Sequence, residues 1–487
     1  MSTVSAPHAE LAYMSAVGLR KAYDDGSLTP PEVVGAIYER IATLNPSLNA
    51  FSVQVEEQAL AAARDSQARI AAGTARRLEG VPVTIKDAYD VAGLETATCT
   101  HALKGKVAAQ DNPIVARLRA EGAVILGKTT MSEFGWSGLS RNPVTGVTHN
   151  PWGHGLNAGA SSAGAGVAAA AGFGPLHLGS DGAGSIRMPA HFCGVFGLKP
   201  TYGRVPHVPV SNNDYATYIG PMTRSVADAA LMLEVMAGPH PLDHTCCEAQ
   251  PAPYLERLSA SMKGKRIAFS PDLGHAGVDP EIAAIVRDAV DVFTSELGAE
   301  IVETNPDWGP LGPELGRFFW SVLWGRRAPL LDAWADRMGS DLVACIREGA
   351  DYTAADYINA REHKYAYVAR MSAFLEDYDF LITPTCSVAA FPVERVRPAH
   401  WPEHEWDWLA WSEFLYPFNM SGQPAASVPC GFTQAGLPVG LQIVGRRFDD
   451  LGVLQACTAF ERVRESSIRQ PNLTIRESAS ASASSRS

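Results

Sequence analysis
The sequence is poor in the features that mark a secreted, membrane-spanning or nucleic-acid-binding chain. Its eight cysteines (Cys99, Cys193, Cys246, Cys247, Cys345, Cys386, Cys430 and Cys457) are scattered, with no CxxC pair and no metal-ligand spacing, so they read as buried or idle thiols. No apolar run reaches the roughly 18 residues that a membrane span requires. The opening MSTVSAPHAELAYMS lacks a basic region ahead of an apolar one, and no secretory signal is expected from it. Basic side chains are in deficit, 40 against 52 acidic for a net charge of −12, which argues against nucleic acid or an anionic membrane as the main partner. There is no internal repeat, and a soluble, cytoplasmic protein is the expectation.

What is present is an ordinary globular composition, 46% hydrophobic and 19% charged, which excludes disorder as the main state. At 487 residues the chain exceeds one simple core, so two or three domains or one large α/β unit are expected. Its most unusual stretch is 157–202, NAGASSAGAGVAAAAGFGPLHLGSDGAGSIRMPAHFCGVFGLKPTY. A flexible linker is also rich in small residues, but it does not end in an apolar FCGVFGL run. Small residues let backbone approach backbone or ligand, and several N–H groups can then converge on one spot as an anion or oxyanion pocket.

Periodicity predicts helices over 15–70, with Thr29 before Pro30 and Pro31 as a start and 56–72 continuing the pattern, and over 113–121, 163–171, 280–297, 314–338 and 451–463. Short β-branched or apolar runs predict strands at 81–85, 123–126, 176–178, 266–270, 301–304, 380–382, 426–428 and 439–444, with 194–198 another buried segment. Helices and strands alternate, which favours an α/β fold. The aromatics of 314–338 read first as core, and the SASASASSRS tail as flexible.

Two features carry chemistry. Lys86 ends an apolar strand, where it either snorkels and pairs with Asp87 or is desolvated, so that its neutral amine can act as a base. Position alone leaves both open. Serines among glycines are ordinarily turn-formers, and Ser161, Ser162, Ser180 and Ser185 all lie in the small-residue stretch. Ser185 differs in following Gly182, Ala183 and Gly184, an arrangement that can present a hydroxyl beside converging N–H groups. No G-x-S-x-G elbow occurs, which weakens a Ser-His-Asp hydrolase.

Taken together, LEGVPVTIKDAYDVAG (78–93), GASSAGAGVAAAAG (159–172) and GSDGAGSIRMPAHFCGVFGLKPTYGRV (179–205) resemble the amidase signature family. So do VILGKTTMSEF (124–134), RNPVTGVTHNPW (141–152), GPMTRSVADAALML (220–233), YDFLITPTC (378–386) and PFNMSGQPAASVPCGFTQAGLPVGLQIVG (417–445). The resemblance runs from about residue 16 to 462, and several ordered blocks make it specific. It implies a large mixed β-sheet covered on both sides by helices. The implied organisation is an N-terminal helical region over 1–75, a catalytic domain over 76–470 with its signature core at 78–205, and the tail at 471–487.

The resemblance also implies a catalytic triad of Lys86, Ser161 (on a cis peptide) and Ser185. The N–H groups of Gly182, Ala183, Gly184 and Ser185 become the oxyanion hole. Met131, Trp136, Gly159, Tyr215, Tyr218, Phe318 and Phe319 are the candidate substrate-binding residues. The implied reaction is hydrolysis of small, mostly apolar or aryl amides, with carbamates and esters beside them, needing no metal or organic cofactor. The expected partner is a small-molecule amide or carbamate, with a homodimer left open. A glutaminase like the ammonia-releasing component of glutamyl-tRNA amidotransferase is the alternative. Met188 and NNDYATYIGP stand where that branch usually has Gln and S-L-D-Q. A non-catalytic binding protein on the same scaffold is a third reading, opposed by the intact Lys86, Ser161 and Ser185. The sequence departs from the family pattern at Ala160, Ala163, Ala165 and Ala183, where Gly or Ser is usual, and an altered substrate preference is expected from them.

Overall fold
In the computed structural model, residues 10–248, 253–307, 311–464, 467 and 469–473 are described; the 474–487 part of the predicted tail lies outside them. Eleven strands form one mixed sheet: β1 (Phe51–Gln54), β2 (Pro82–Lys86), β3 (Val124–Thr129), β4 (Leu176–Asp181), β5 (Phe196–Lys199), β6 (Tyr218–Thr223), β7 (Arg266–Phe269), β8 (Glu300–Glu303), β9 (Phe380–Pro384), β10 (Ala425–Phe432) and β11 (Pro438–Gly445). Their order is β1-β3-β2-β4-β6-β5-β10-β11-β9-β7-β8. β2 is flanked by β3 and β4, both parallel to it, and all five of its residues are buried. A strand covered on both faces needs a continuous apolar run, which VPVTI supplies.

Side-chain alternation along the strands divides the core. On one face, Val83, Ile85, Leu178, Ile382 and Ile443 pack in a single cluster beneath α4 (Pro113–Ala120), α7 (Val226–Met236), α8 (Pro280–Ser295) and α13 (Asp450–Val463). Two clusters share the other face. At one end lie Val124 and Leu126, with α1 (Ala16–Asp24), α2 (Pro30–Leu48), α3 (Glu56–Ala71) and α5 (Ala163–Ala171). At the other end Leu381, Ala425 and Val444 meet α9 (Leu311–Gly325), α10 (Ser340–Ala350), α11 (Ala354–Phe374) and α12 (Tyr416–Ser421). Helix α6 (Arg187–Cys193) joins the two: Met188 and Phe192 belong to one cluster, Ala190 and Cys193 to the other. All eight cysteines are free and six are buried. No helix among the described residues is long and apolar enough to cross a membrane.

Two predicted elements are corrected. The helical pattern over 15–70 is broken by β1, because Pro46 lies in the last turn of α2 and Asn49 caps it in the left-handed region at φ 56°. The following FSVQ then pairs antiparallel with β3 at the sheet edge. The single helix over 314–338 stops at Gly325, and short helical turns follow. Pro329 cannot continue an α-helix as a donor. Gly325 itself presses on α10: a Cβ on Gly349 would lie 1.8 Å from the Ser321 carbonyl oxygen, and one on Gly325 2.2 Å from the Gly349 carbonyl carbon. Helices α9 and α10 therefore touch backbone to backbone.

That contact sets the depth of α9, so Gly349→Ala should cost about 1–3 kcal/mol, read as a lower urea midpoint with unchanged m. A midpoint equal to wild type would show that α10 can slide away freely.

Candidate active site
The site lies where parallel strands end, the usual place for a crevice in an open α/β sheet. Lys86 is the last residue of β2 and Ser180 and Asp181 the last two of β4, and the strands run parallel in register Ile85 to Leu178. Ser161 and Ser162 immediately precede α5, and the Ala160–Ser161 peptide bond is cis. The Lys86 side chain is completely buried. Its Nζ donates to Ser161 Oγ at 2.7 Å, Ser162 Oγ at 2.9 Å and Ser180 Oγ at 3.0 Å. An ammonium has three donors, and here three hydroxyls meet them with no carboxylate in contact.

Burial is the dominant influence on Lys86 and pushes its pKa down to about 7, with Asp181 opposing weakly from a distance. The neighbouring acid in sequence does not rescue the charge. Asp87 forms a buried ion pair with Lys128 at 2.9 Å and accepts the Cys99 N–H at 3.0 Å. Pairing of Lys86 with Asp87 is thereby excluded.

Ser185 sits between β4 and α6, in a turn built on Asp181. The Asp181 carboxylate grips Arg187 through Nε and Nη2, both at 3.0 Å, and accepts N–H groups from Gly184 at 2.6 Å and Ile186 at 3.2 Å. Asn419 donates to it as well, at 2.8 Å. Burial raises the Asp181 pKa, but the Arg187 charge and hydrogen bonds, aided by Asn419, outweigh it and hold the carboxyl well below its usual range. Gly184 has φ +113°, and a Cβ there would lie 2.3 Å from Leu415 Cδ1, so this turn requires glycine. The Gly184 N–H is committed to Asp181, which removes it from the predicted oxyanion set. The N–H groups of Gly182, Ala183 and Ser185 make no hydrogen bond to a described residue and stay free. Ser185 is packed beside the serine pair, the Ser162 N–H donating to its carbonyl at 3.3 Å.

A cavity of about 170 Å³ opens onto Lys86, Ser161, Ser180 and Gly182. Ser185, 2% exposed, is not among the residues that line it.

The Amidase family model matches residues 32–454. The chain belongs to the amidase family. It is 39% identical over 472 residues to an acylamidase from Rhodococcus erythropolis, covering 95% of this chain and 98% of that one. It is 35% identical to a glutamyl-tRNA(Gln) amidotransferase component from Roseiflexus sp. (strain RS-1), covering 94% and 97%. A crystal structure of a bacterial aryl acylamidase of the amidase signature family superposes with a TM-score of 0.87 at 27% identity, covering 94% of this chain and 98% of that one. The expected amidase signature fold and the reading of this chain as an amide-hydrolysing enzyme follow.

Of the seven substrate-binding candidates in this amidase, only Met131 lines the cavity. Trp136 lines a separate surface cleft, and its carbonyl accepts from Trp408 Nε1 at 3.1 Å. Gly159 turns behind the site against Pro189, where a Cβ would come within 2.7 Å. Tyr218 is buried, donating to the Asn419 carbonyl at 2.7 Å beneath the Lys199 ammonium. Tyr215 stands 48% exposed against Tyr202. Phe318 and Phe319 turn away from the cavity toward Tyr352 and Tyr357. The cavity face of α9 is instead Trp320, Leu323 and Trp324, with Arg327 just beyond the helix. Those residues recur at the i, i+3, i+4, i+7 spacing that marks one helix face, the signal that could have found them. Phe134, Tyr89, His207, Asn213 and Thr217 are among the other lining residues that sequence reasoning missed. The loop bearing Asn213 is tied to α11 by Lys364 and Arg361, 2.8 and 3.2 Å from the Asp214 carboxylate. Ala160, Ala163, Ala165 and Ala183 are all buried and none has a positive φ, so their methyl groups fit the chain path without backbone strain.

Two stability measurements follow. Asp181→Asn leaves Arg187 buried without its counter-charge and should cost about 3–5 kcal/mol in urea unfolding; a loss under 1 kcal/mol would mean the turn does not depend on this pair. The second concerns Lys86, whose ordinary pKa of 10.5 drops to about 7 on folding. Between those values the unfolded chain holds a proton that the native one has lost, so this group makes stability rise with pH by up to roughly 1.4 kcal/mol per unit. Lys86→Met removes that slope, and the wild-type stability relative to the variant should climb from pH 7 to 10 and be level below 7. Parallel curves would refute the depressed pKa.

Proposed function
We propose that this amidase hydrolyses small, mostly apolar or aryl amides through a Ser185 acyl-enzyme, with carbamates and esters as further substrates. The observation that carries this reading is the fully buried Lys86 amine 2.7 Å from Ser161 Oγ, its pKa near 7. A neutral amine has a lone pair and can accept a proton from the hydroxyl it faces. In the proposed cycle Lys86 takes the Ser161 proton while Ser161 takes that of Ser185. The Ser185 oxygen then bonds to the amide carbonyl carbon, and the carbonyl π pair moves onto oxygen. The free N–H groups of Gly182, Ala183 and Ser185 receive the oxyanion. Collapse breaks the C–N bond as the Lys86 proton returns through Ser161 to the leaving nitrogen. Water attacks the ester by the same relay, releases the acid and restores the Ser185 hydroxyl.

The walls support the substrate class. Phe134, Trp320 and Trp324 offer aromatic faces, and the small volume suits a compact acyl or aryl group. The likeness to glutamyl-tRNA(Gln) amidotransferase components makes glutaminase activity the second reading, separated from the first by dependence on glutamine.

Wild type should release 4-nitroaniline from an acyl-4-nitroanilide without glutamine, ATP or partner. Ser185→Ala and Lys86→Ala should each lower kcat by roughly 10³-fold or more while keeping the far-UV spectrum; full activity in either folded variant would refute these roles. Because the base works only when unprotonated, kcat/KM should fall below pH 7, approaching tenfold per unit. A rate that stays flat down to pH 5 would contradict a lysine base.

A further inference from the structure
The cavity wall has an uneven charge pattern. Among the described residues no aspartate or glutamate lines it, whereas Lys86, Arg326 and Arg327 do. The chain as a whole carries a net −12, so this is a local reversal. Arg327 is the unusual member. Its guanidinium lies 3.9 Å from the centre of the Phe134 ring and 5.3 Å from that of Trp324, and its Nε is buried with no hydrogen-bond partner among the described residues.

Glu133, whose charge acts on Arg327, makes its hydrogen bonds elsewhere. Glu133 accepts the Thr100 hydroxyl at 2.8 Å through one oxygen and the Gly339 N–H at 2.9 Å through the other. Burial, with Arg326 adding to it, lowers the Arg327 pKa to about 10, which leaves it a cation at neutral pH. A cation held on aromatic rings with donors unmet is a binding element for an anion, and a guanidinium suits a carboxylate in particular. Arg327 lines the same cavity as Lys86 and Ser161. Its ring partner Phe134 precedes Gly135, where a Cβ would lie 3.4 Å from Ser161 Oγ.

Resting on the amidase reading, we propose that the preferred substrates are amides bearing a free carboxylate, which Arg327 holds while the scissile carbonyl faces Ser161 and Ser185. The carboxylate belongs either to the acyl group or to the amine. A neutral amide uses the same aromatic walls but leaves Arg327 unpaired.

The test compares kcat/KM within two matched pairs. Glutaryl- against butyryl-4-nitroanilide places the carboxylate on the acyl side, and 4-acetamidobenzoate against acetanilide places it on the amine side. In wild type at least one carboxylated member should exceed its neutral partner tenfold or more, and the pair that does so identifies the side. That ratio should fall at least tenfold in Arg327→Gln and be partly kept in Arg327→Lys. In wild type alone, the matching free carboxylate, glutarate or 4-aminobenzoate, should compete with neutral substrate. Turnover of the neutral members with no carboxylate preference would overturn this inference and leave the amidase reading standing, as would a ratio unmoved in Arg327→Gln. Silence of wild type on all four compounds would overturn both.

Discussion
Everything in the site depends on burying the Lys86 ammonium without a carboxylate. Desolvation of a charge is costly, and a lysine in that position either finds a counter-ion or gives up its proton. The same sheet shows the other solution one strand away: Lys128, equally buried, pairs with Asp87 at 2.9 Å. Lys86 meets three hydroxyls and the Ser180 carbonyl oxygen at 3.4 Å, all of them uncharged. Three serine oxygens satisfy its hydrogen bonds but add no charge, so the group is held in place and still poised to be neutral near pH 7. Geometry and proton affinity are thus set by different groups, the serines fixing the first and burial the second.

The turn that carries Ser185 rests on the complementary device. Asp181 is as buried as Lys86, yet it stays ionised because Arg187 grips both its oxygens and Asn419 adds a donor. That ion pair spans the end of β4 and the start of α6, and α6 ties the two clusters on this face of the sheet. The turn between them is therefore fixed at both ends. The backbone N–H groups of Gly184, Ile186 and Arg187 are consumed in holding it, while those of Gly182, Ala183 and Ser185 make no hydrogen bond to a described residue. The stabilising role and the proposed anion-binding role thus fall to different amides of a single loop.

The sequence shows some of this and hides the rest for physical reasons. Lys86, Ser161 and Ser185 stand in short motifs because each needs particular neighbours: an apolar strand before the lysine, small residues around the serines. Strands such as β2 and β11 are legible because a strand buried on both faces is mostly apolar, with its few polar residues, Thr84 and Gln442 among them, hydrogen-bonded. The strand β1 is not, since its four residues sit between two genuine helical patterns and only pairing with β3 makes them extended. Along α9, aromatics occur on several faces, and periodicity groups Trp320, Leu323 and Trp324 without saying which group faces the cavity. That choice is made by distant backbone, where Ser321 and Gly325 press on Gly349. Met131 is legible because it adjoins a motif, whereas Tyr218 misleads because β6 turns it toward Asn419 and Lys199.

The cationic cavity and the neutral base have a common origin. A carboxylate in the cavity wall would stabilise protonated Lys86, raise its pKa and leave less free amine at neutral pH. The proposed chemistry, which relies on this base, disfavours acids in the wall, and such acids would also have paired with Arg327. Glu133, whose charge reaches Arg327, does not line the cavity; its two oxygens are turned to Thr100 and Gly339. In the proposed binding mode a substrate carboxylate held on the guanidinium enters already paired, and so reaches the cavity without offering Lys86 the counter-ion that the fold denies it. The proposed selectivity for an anion and the proposed activation of the lysine then become two consequences of one rule about where acids are allowed.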